Sequence, residues 1–387
     1  MVEYLILTLP FYTTLFWSIT LWAGQKKGNT PKLFLAIFMT VSMMLYGSHA
    51  LFFLKDFDTY YKIDSLYTFA SLAVYPLFYL YIRTLARDKP FKASELWILA
   101  PAFFFGITSF AFFLYTDAAE IEAYVQHYIY KNRGDYIFGT MTKVQAILYK
   151  AGRIVFTAQL IPVVWISIKL ISSYEKKIRE FYSDTRKRTL SWARNLLTAT
   201  LFAGFFSALV NIAGRSYFAQ EYTFLVFPSL IFSAILFSIG YLGNRQRNNR
   251  SIYSFDQLNT TNAPEDNNGN AKLENLSTEL TEYMIDNKPF LNHDIRITDI
   301  SKALNTNRSY ISDIVNNRFN SSFLQWINRY RVNYSKDLLT NVDNHSLETI
   351  ARISGFSTKN TFVKAFKRET GITPENYREK KNRGPAI

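Results

Sequence analysis

Seven apolar runs, near residues 3–23, 31–54, 64–86, 95–115, 146–171, 190–213 and 222–243, alternate with short polar turns through the first part of the chain. Each is about the 20 residues that a helix needs to cross roughly 30 Å of hydrocarbon, so the pattern predicts seven membrane-spanning helices. The first run has Glu3 in front and no basic leader, and it is expected to be a span, not a cleaved signal. After residue 243 the pattern changes. Residues 244–272, ending in "NTTNAPEDNNGNAK", carry no apolar periodicity and predict a flexible tether. A coil of about 30 residues has an r.m.s. span of roughly 30 Å, which would hold the C-terminal part of the chain close to the bilayer. From 273 onward apolar residues recur at three- and four-residue steps: Leu273, Leu276 and Leu280, then Ile297, Ile300 and Leu304, then Ile311, Ile314 and Val315. That is helical spacing with no strand-like alternation, so the expected fold class is all-α throughout. The expected domains are 1–243, the tether 244–272, and 273–387.

The soluble part contains a degenerate repeat. "ITDISKALNTNRSYISDIV" at 297–315 aligns with "LETIARISGFSTKNTFVKAF" at 347–366, the second copy having one extra residue. Each copy predicts helix, tight turn, helix. In the second, Leu347, Ile350 and Ala351 give the first helix its apolar face, Gly355 supplies a left-handed turn, and Phe356 packs inward. Ser357 or Thr358 is placed to cap the next helix, which buries Phe362 and Phe366. Its outer face and N-terminal end then carry Lys359, Asn360, Thr361, Val363 and Lys364. Gly371 reverses the chain, and Thr373 and Pro374 start another helix. Residues 322–340 would join the two copies.

Composition and charge refine this picture. Aromatic residues are 17% of the chain, with 34 Phe and 26 Tyr, concentrated before residue 243, as expected of a bilayer protein. The absence of cysteine excludes disulfides, thiolate metal sites and cysteine nucleophiles. The net charge of +14 does not come mainly from the soluble part: 23 Lys and Arg face 14 Asp and Glu before residue 243, against 21 and 16 after it. The turns after the first, third and fifth runs hold Lys26, Lys27 and Lys32, then Arg83, Arg87, Lys89 and Lys92, then Lys176, Lys177, Arg179, Arg186, Lys187 and Arg188. The other turns are balanced or acidic. The positive-inside rule therefore places the N-terminus outside and, after seven spans, the C-terminus in the cytoplasm. Arg245, Arg247 and Arg250 continue that pattern at the inner surface.

With those residues in view, 296–381 resembles the DNA-binding domain of the AraC family of bacterial transcription regulators. The likeness rests on "IARISGFSTKNTFVKAFKRETGITPENYR" and on the preceding "DISKALNTNRSYISDIV" and "FLQWINRYRVNYSKDLL". It implies two helix-turn-helix units joined by a central helix, placing two recognition helices in successive major grooves about 34 Å apart. Carried over by position, base contacts would come from Lys359, Asn360, Thr361 and Lys364 in the second unit, and from Ser309, Ser312 and Asp313 in the first. Arg308, Lys367 and Arg368 would touch phosphate. Asn305 and Asn320 stand where the family usually has Gly, and Asn is among the residues that tolerate positive φ. Asp313 puts an anion at a readout position, where it can accept from cytosine N4 but is repelled by phosphate.

Within the apolar runs, His49, Lys150, Arg153, Gln159, Asn211 and Arg215 fall toward the outer halves of their spans. Intramembrane ionisable groups are functional candidates, and converging faces would form a cationic pocket for a small carboxylate or phosphate. Interfacial snorkelling and helix-to-helix hydrogen bonding are the alternative. The four histidines are dispersed, and no Gly-rich phosphate loop, HExxH or GxSxG pattern occurs, so neither catalysis nor a cofactor is expected. The expectation is a membrane-bound, one-component regulator acting on double-stranded DNA. Its further partners would be the bilayer, a small anionic ligand, a second copy of the chain and RNA polymerase. The alternatives are a transporter or membrane enzyme with an accessory DNA head, and a DNA anchor without regulatory output.

Overall fold

The computed structural model describes residues 2–54, 57–86, 90–130, 139–185, 190, 192–199, 223–245, 269–341 and 345–382. It is helical, with no strand among the described residues. Two compact units divide the chain: residues 1–174 with 190–248, and residues 175–189 with 249–387.

The first unit contains α1 (Val2–Ala23), α2 (Thr30–Phe53), α3 (Phe57–Ala86), α4 (Ala100–Tyr115), α5 (Ala118–Ala123), most of α6 (Thr140–Phe181) and α7 (Thr223–Arg245). Among the described residues, six helical stretches are long and apolar enough to cross a membrane: Leu5–Ala23, Thr30–Phe53, Lys62–Ala86, Ala93–Tyr115, Thr140–Phe181 and Val226–Arg245. Of the sixth expected span, residues 192–199 are helical, and 200–222 lie outside the described residues. Burial in this unit is one-sided. On α4, Phe103, Phe104, Ile107, Phe110 and Leu114 are exposed, and on α6 so are Ile147, Ile154, Ile161 and Trp165. Apolar stripes of that length on an outer surface are costly in water and carry no such cost in hydrocarbon. The inner faces pack closely. Gly240 of α7 lies directly against the Trp17 ring of α1, leaving no room for a Cβ. Arg83, one of the basic residues of the third turn, is buried in an ion pair with Glu95.

The second unit holds α8 (Gly269–Asp286), α9 (Ile297–Ala303), α10 (Arg308–Asp313), α11 (Phe323–Asn341), α12 (Leu347–Ile353), α13 (Lys359–Thr370) and α14 (Pro374–Asn382). α8 begins at Gly269, four residues inside the segment expected to be tether; residues 246–268 lie outside the described residues. α10 runs on into a π-helical turn, Ile314–Arg318. Val332, Leu339, Leu347, Ile350, Phe356, Phe362 and Phe366 form one core between α11, α12 and α13. The turn residues behave as their chemistry requires: Gly355 and Gly371 have φ of 81°, and Asn305 and Asn320 take the same left-handed region at 45° and 43°. At Gly355 a Cβ would lie 2.5 Å from the Phe290 carbonyl oxygen, so that position excludes a side chain by contact as well as by φ.

Candidate functional site

α13 is built as a presented helix. Thr358 caps it, accepting from the Thr361 amide at 3.4 Å, while the Thr361 hydroxyl donates back to the Thr358 carbonyl at 2.8 Å. Phe362 and Phe366 are fully buried, which turns Lys359, Asn360, Lys364, Lys367 and Arg368 outward. The Lys359 ammonium lies 4.0 Å from Glu375, and Arg368 pairs with its neighbour Glu369 at 3.1 Å. Lys364 and Lys367 make no ion pair among the described residues. Thr361 is held by the cap and half-buried, so its hydroxyl orients the helix start before it meets any ligand.

The first unit of the repeat presents less. Asn307 caps α10 through the Ser309 amide at 3.1 Å. Ser309 and Asp313 are exposed and Ser312 half-buried, but two of these side chains already have partners. Asn316 donates to the Ser312 hydroxyl at 3.2 Å, and Asn317 donates to the Asp313 carboxylate at 2.6 Å. Arg308, the phosphate-contact candidate of this unit, is less exposed than Lys367 and Arg368. It is half-buried, with its guanidinium 5.4 Å from the Phe181 ring centroid.

Phe181 introduces a part of the second unit that the repeat alone does not reveal. α6 is 42 residues long, and its residues from Glu175 onward group with the second unit. Ile178, Phe181, Tyr182 and Ser183 are all buried. Tyr182 makes a bridge with Arg296, and the Ser183 amide donates to the Ile295 carbonyl at 3.3 Å. The Ser183 hydroxyl donates to the Ile295 carbonyl at 2.8 Å and accepts from the Arg331 guanidinium at 3.2 Å. Arg331, from the central helix α11, is 2% exposed. It also donates to the carbonyls of Phe290 at 2.7 Å and Asn292 at 2.8 Å and stacks over the Phe356 ring. Burial pulls its guanidinium down to about 10, and Asp184 acts in the opposite direction. One buried cation thus ties together the central helix, the turn before α9, Phe356 of the second repeat and the end of α6. The sequence carries a signal for this: Ile171, Tyr174, Ile178 and Phe181 continue a three- and four-residue apolar spacing beyond the fifth run, beneath lysines that read on their own as a basic turn.

In the membrane-type unit, four of the six polar candidates fall among the described residues, and two of these share a cavity. His49 and Arg153 line a cavity of about 190 Å³ whose described walls come from α1, α2, α3, α6 and α7. Gln159 instead donates to the Leu72 carbonyl at 2.9 Å, and the Lys150 ammonium lies 6.0 Å from the Tyr128 ring centroid. Asn211 and Arg215 lie outside the described residues. No group of three or more His, Asp or Glu side chains capable of holding a metal occurs among the described residues.

Residues 300–380 match the family described as "Helix-turn-helix domain". Over about the same region the chain is 32% identical to the regulatory protein PocR of Salmonella typhimurium, across 92 residues that make up 24% of this chain and 30% of that one. It is 36% identical to the Msm operon regulatory protein of Streptococcus mutans over 85 residues, 22% and 30% of the two chains. It is 34% identical to the raffinose operon transcriptional regulatory protein RafR of Pediococcus pentosaceus over 83 residues, 21% and 30%. The chain thus spans less than a third of the length of these relatives. No solved structure matches it. The C-terminal region is an AraC-type helix-turn-helix domain, of the kind found in DNA-binding transcription regulators.

Proposed function

We propose that this protein is a membrane-bound, one-component transcription regulator. The first unit spans the bilayer, with its N-terminus outside, and senses a signal. The second lies in the cytoplasm and binds promoter DNA sequence-specifically through two recognition helices, α13 making the stronger base contacts through Lys359, Asn360 and Lys364. The observation that carries the link between sensing and DNA is the end of α6: a helix long and apolar enough to cross a membrane ends as a buried component of the DNA-binding unit, fastened by Ser183 and Arg331. No relay protein is needed if the helix that feels the signal also supports the helix-turn-helix pair. The same junction argues against release of the head by one cut in residues 246–268, because residues 178–183 would still hold it.

The test is cross-linking in living cells, with recovery of full-length, C-terminally tagged protein and sequencing of the attached DNA. Enrichment at a few promoters that share two boxes about one helical turn apart supports the reading. Diffuse, sequence-independent enrichment that vanishes at higher salt would replace it with an anchor.

A further inference from the structure

The cavity in the first unit has a composition that narrows what it can hold. Its walls are mainly apolar and aromatic, with Tyr46, Tyr75, Phe156 and Phe232 among them, and none of the described residues that line it is acidic. Two basic side chains reach it, His49 from α2 and Arg153 from α6. Arg153 makes no ion pair among the described residues; its guanidinium lies 5.7 Å from the Tyr149 ring centroid. A guanidinium beside an apolar cavity within a helix this hydrophobic carries a desolvation cost that an incoming anion would offset. An engineered cavity of about 150 Å³ accommodates benzene, so 190 Å³ has room for a ring plus a short polar arm, roughly ten non-hydrogen atoms. One guanidinium, with His49 and a few hydroxyl groups in a mainly apolar wall, suits one carboxylate held bidentately better than a polyanion such as phosphate.

We infer that this cavity is a binding site for a small amphipathic monocarboxylate, with an aryl or short alkyl body among the aromatic side chains and its carboxylate on Arg153. The inference rests on the reading of the first unit as a sensor and names the class of molecule it would sense. Acid supplied as a free solute and acid supplied by a lipid share this chemistry; the cavity volume favours the free solute.

The experiment uses purified full-length protein in nanodiscs of zwitterionic lipid, titrated calorimetrically with 3-phenylpropionate, octanoate, the neutral isostere 3-phenylpropanol, and inorganic phosphate. The expected result is saturable binding of a carboxylate at least tenfold tighter than that of the alcohol, with no binding of phosphate. Arg153→Gln should remove the preference for the acid and leave the alcohol's affinity within about threefold, which also shows that the variant is folded. Equal affinities for acid and alcohol in the wild type, absence of saturable binding by either acid, or an acid preference that survives Arg153→Gln would each overturn the site. Replacing zwitterionic by anionic lipid should leave the carboxylate affinity unchanged; its loss would assign the cavity to lipid and overturn the free solute. Promoter occupancy measured with and without the acid is a separate readout. Binding without any change in occupancy would keep the site and remove the sensor reading.

Discussion

The two helix-turn-helix units share a repeat and a turn geometry, yet they are built for different work. The second is self-contained: Gly355 seats the turn against the Phe290 carbonyl, Thr358 and Thr361 cap α13 reciprocally, and twelve regular residues carry an outward face on which Lys364 makes no ion pair among the described residues. The first is short, runs into a π-helical turn, pairs Ser312 and Asp313 with its own asparagines, and turns Arg308 toward Phe181. Under the proposed function α13 would be the helix that meets DNA, while α10 packs its Arg308 against Phe181 at the end of α6. A duplicated motif can therefore divide recognition from attachment, because reading needs exposed, uncommitted side chains and attachment needs buried, partnered ones.

The largest effect should come from the buried cation that joins these parts. Arg331→Ala leaves the Phe290 and Asn292 carbonyls and the Ser183 hydroxyl without their charged donor. Each such hydrogen bond is worth roughly 1.5–3 kcal/mol, so the expected loss is on the order of 3 kcal/mol or more. Urea titration of the full-length protein, read by protease sensitivity of the DNA-binding unit, measures it. Arg331→Lys should recover only part, since an ammonium cannot reproduce the guanidinium fork. An unchanged midpoint in Arg331→Ala would mean that the end of α6 is not held as described.

Next in size is Gly355→Asn. Asparagine tolerates positive φ, but here a Cβ meets two backbone carbonyls, those of Phe290 and Leu291, at 2.5 and 2.8 Å. The expected cost is about 2 kcal/mol in the same titration. A smaller effect on stability but a direct one on DNA separates the recognition helices. Lys364→Ala should weaken specific binding by about 1–3 kcal/mol, measured by titration against the promoter fragment at fixed salt. Asp313→Ala, whose carboxylate is engaged by Asn317 and repelled by phosphate, should change it by much less. Equal losses would return the two units to equal roles.

Much of this is legible in the sequence where local chemistry decides structure. Phe356, Phe362 and Phe366 are buried as their spacing requires, Thr358 caps α13, and Asn305 and Asn320 take the positive φ expected of residues standing in for glycine. What escapes a reading of the sequence depends on residues far apart in the chain. Ser183 and Arg331 are 148 residues apart, and nothing in either neighbourhood announces the other. The Lys176, Lys177 and Arg179 side chains make residues 176–188 look like a topological turn and hide the apolar face that alternates with them. The polar residues of the spans leave two uses open for a related reason. Gln159 satisfies a backbone carbonyl on α3, a use that helix period alone does not distinguish from a place in a pocket.

The smallest expected effect tests how far the two turns differ. Asn305 and Gly355 both sit at the turn of their unit with positive φ, 45° and 81°. At Gly355 the surrounding carbonyls forbid a side chain; at Asn305 the side chain is exposed and meets no such barrier. Asn305→Gly removes the left-handed strain of an L-residue, which favours the folded state, and adds conformational freedom to the unfolded chain, which opposes it. The two contributions are of similar size, so the urea midpoint should move by no more than about 0.5 kcal/mol in either direction. DNA affinity should stay within about twofold, because the substitution leaves α13 and its exposed lysines untouched. A loss approaching that of Gly355→Asn would show that the Asn305 side chain supports the junction at Arg308 and Phe181, and that even the turn of the first unit has been adapted to attachment.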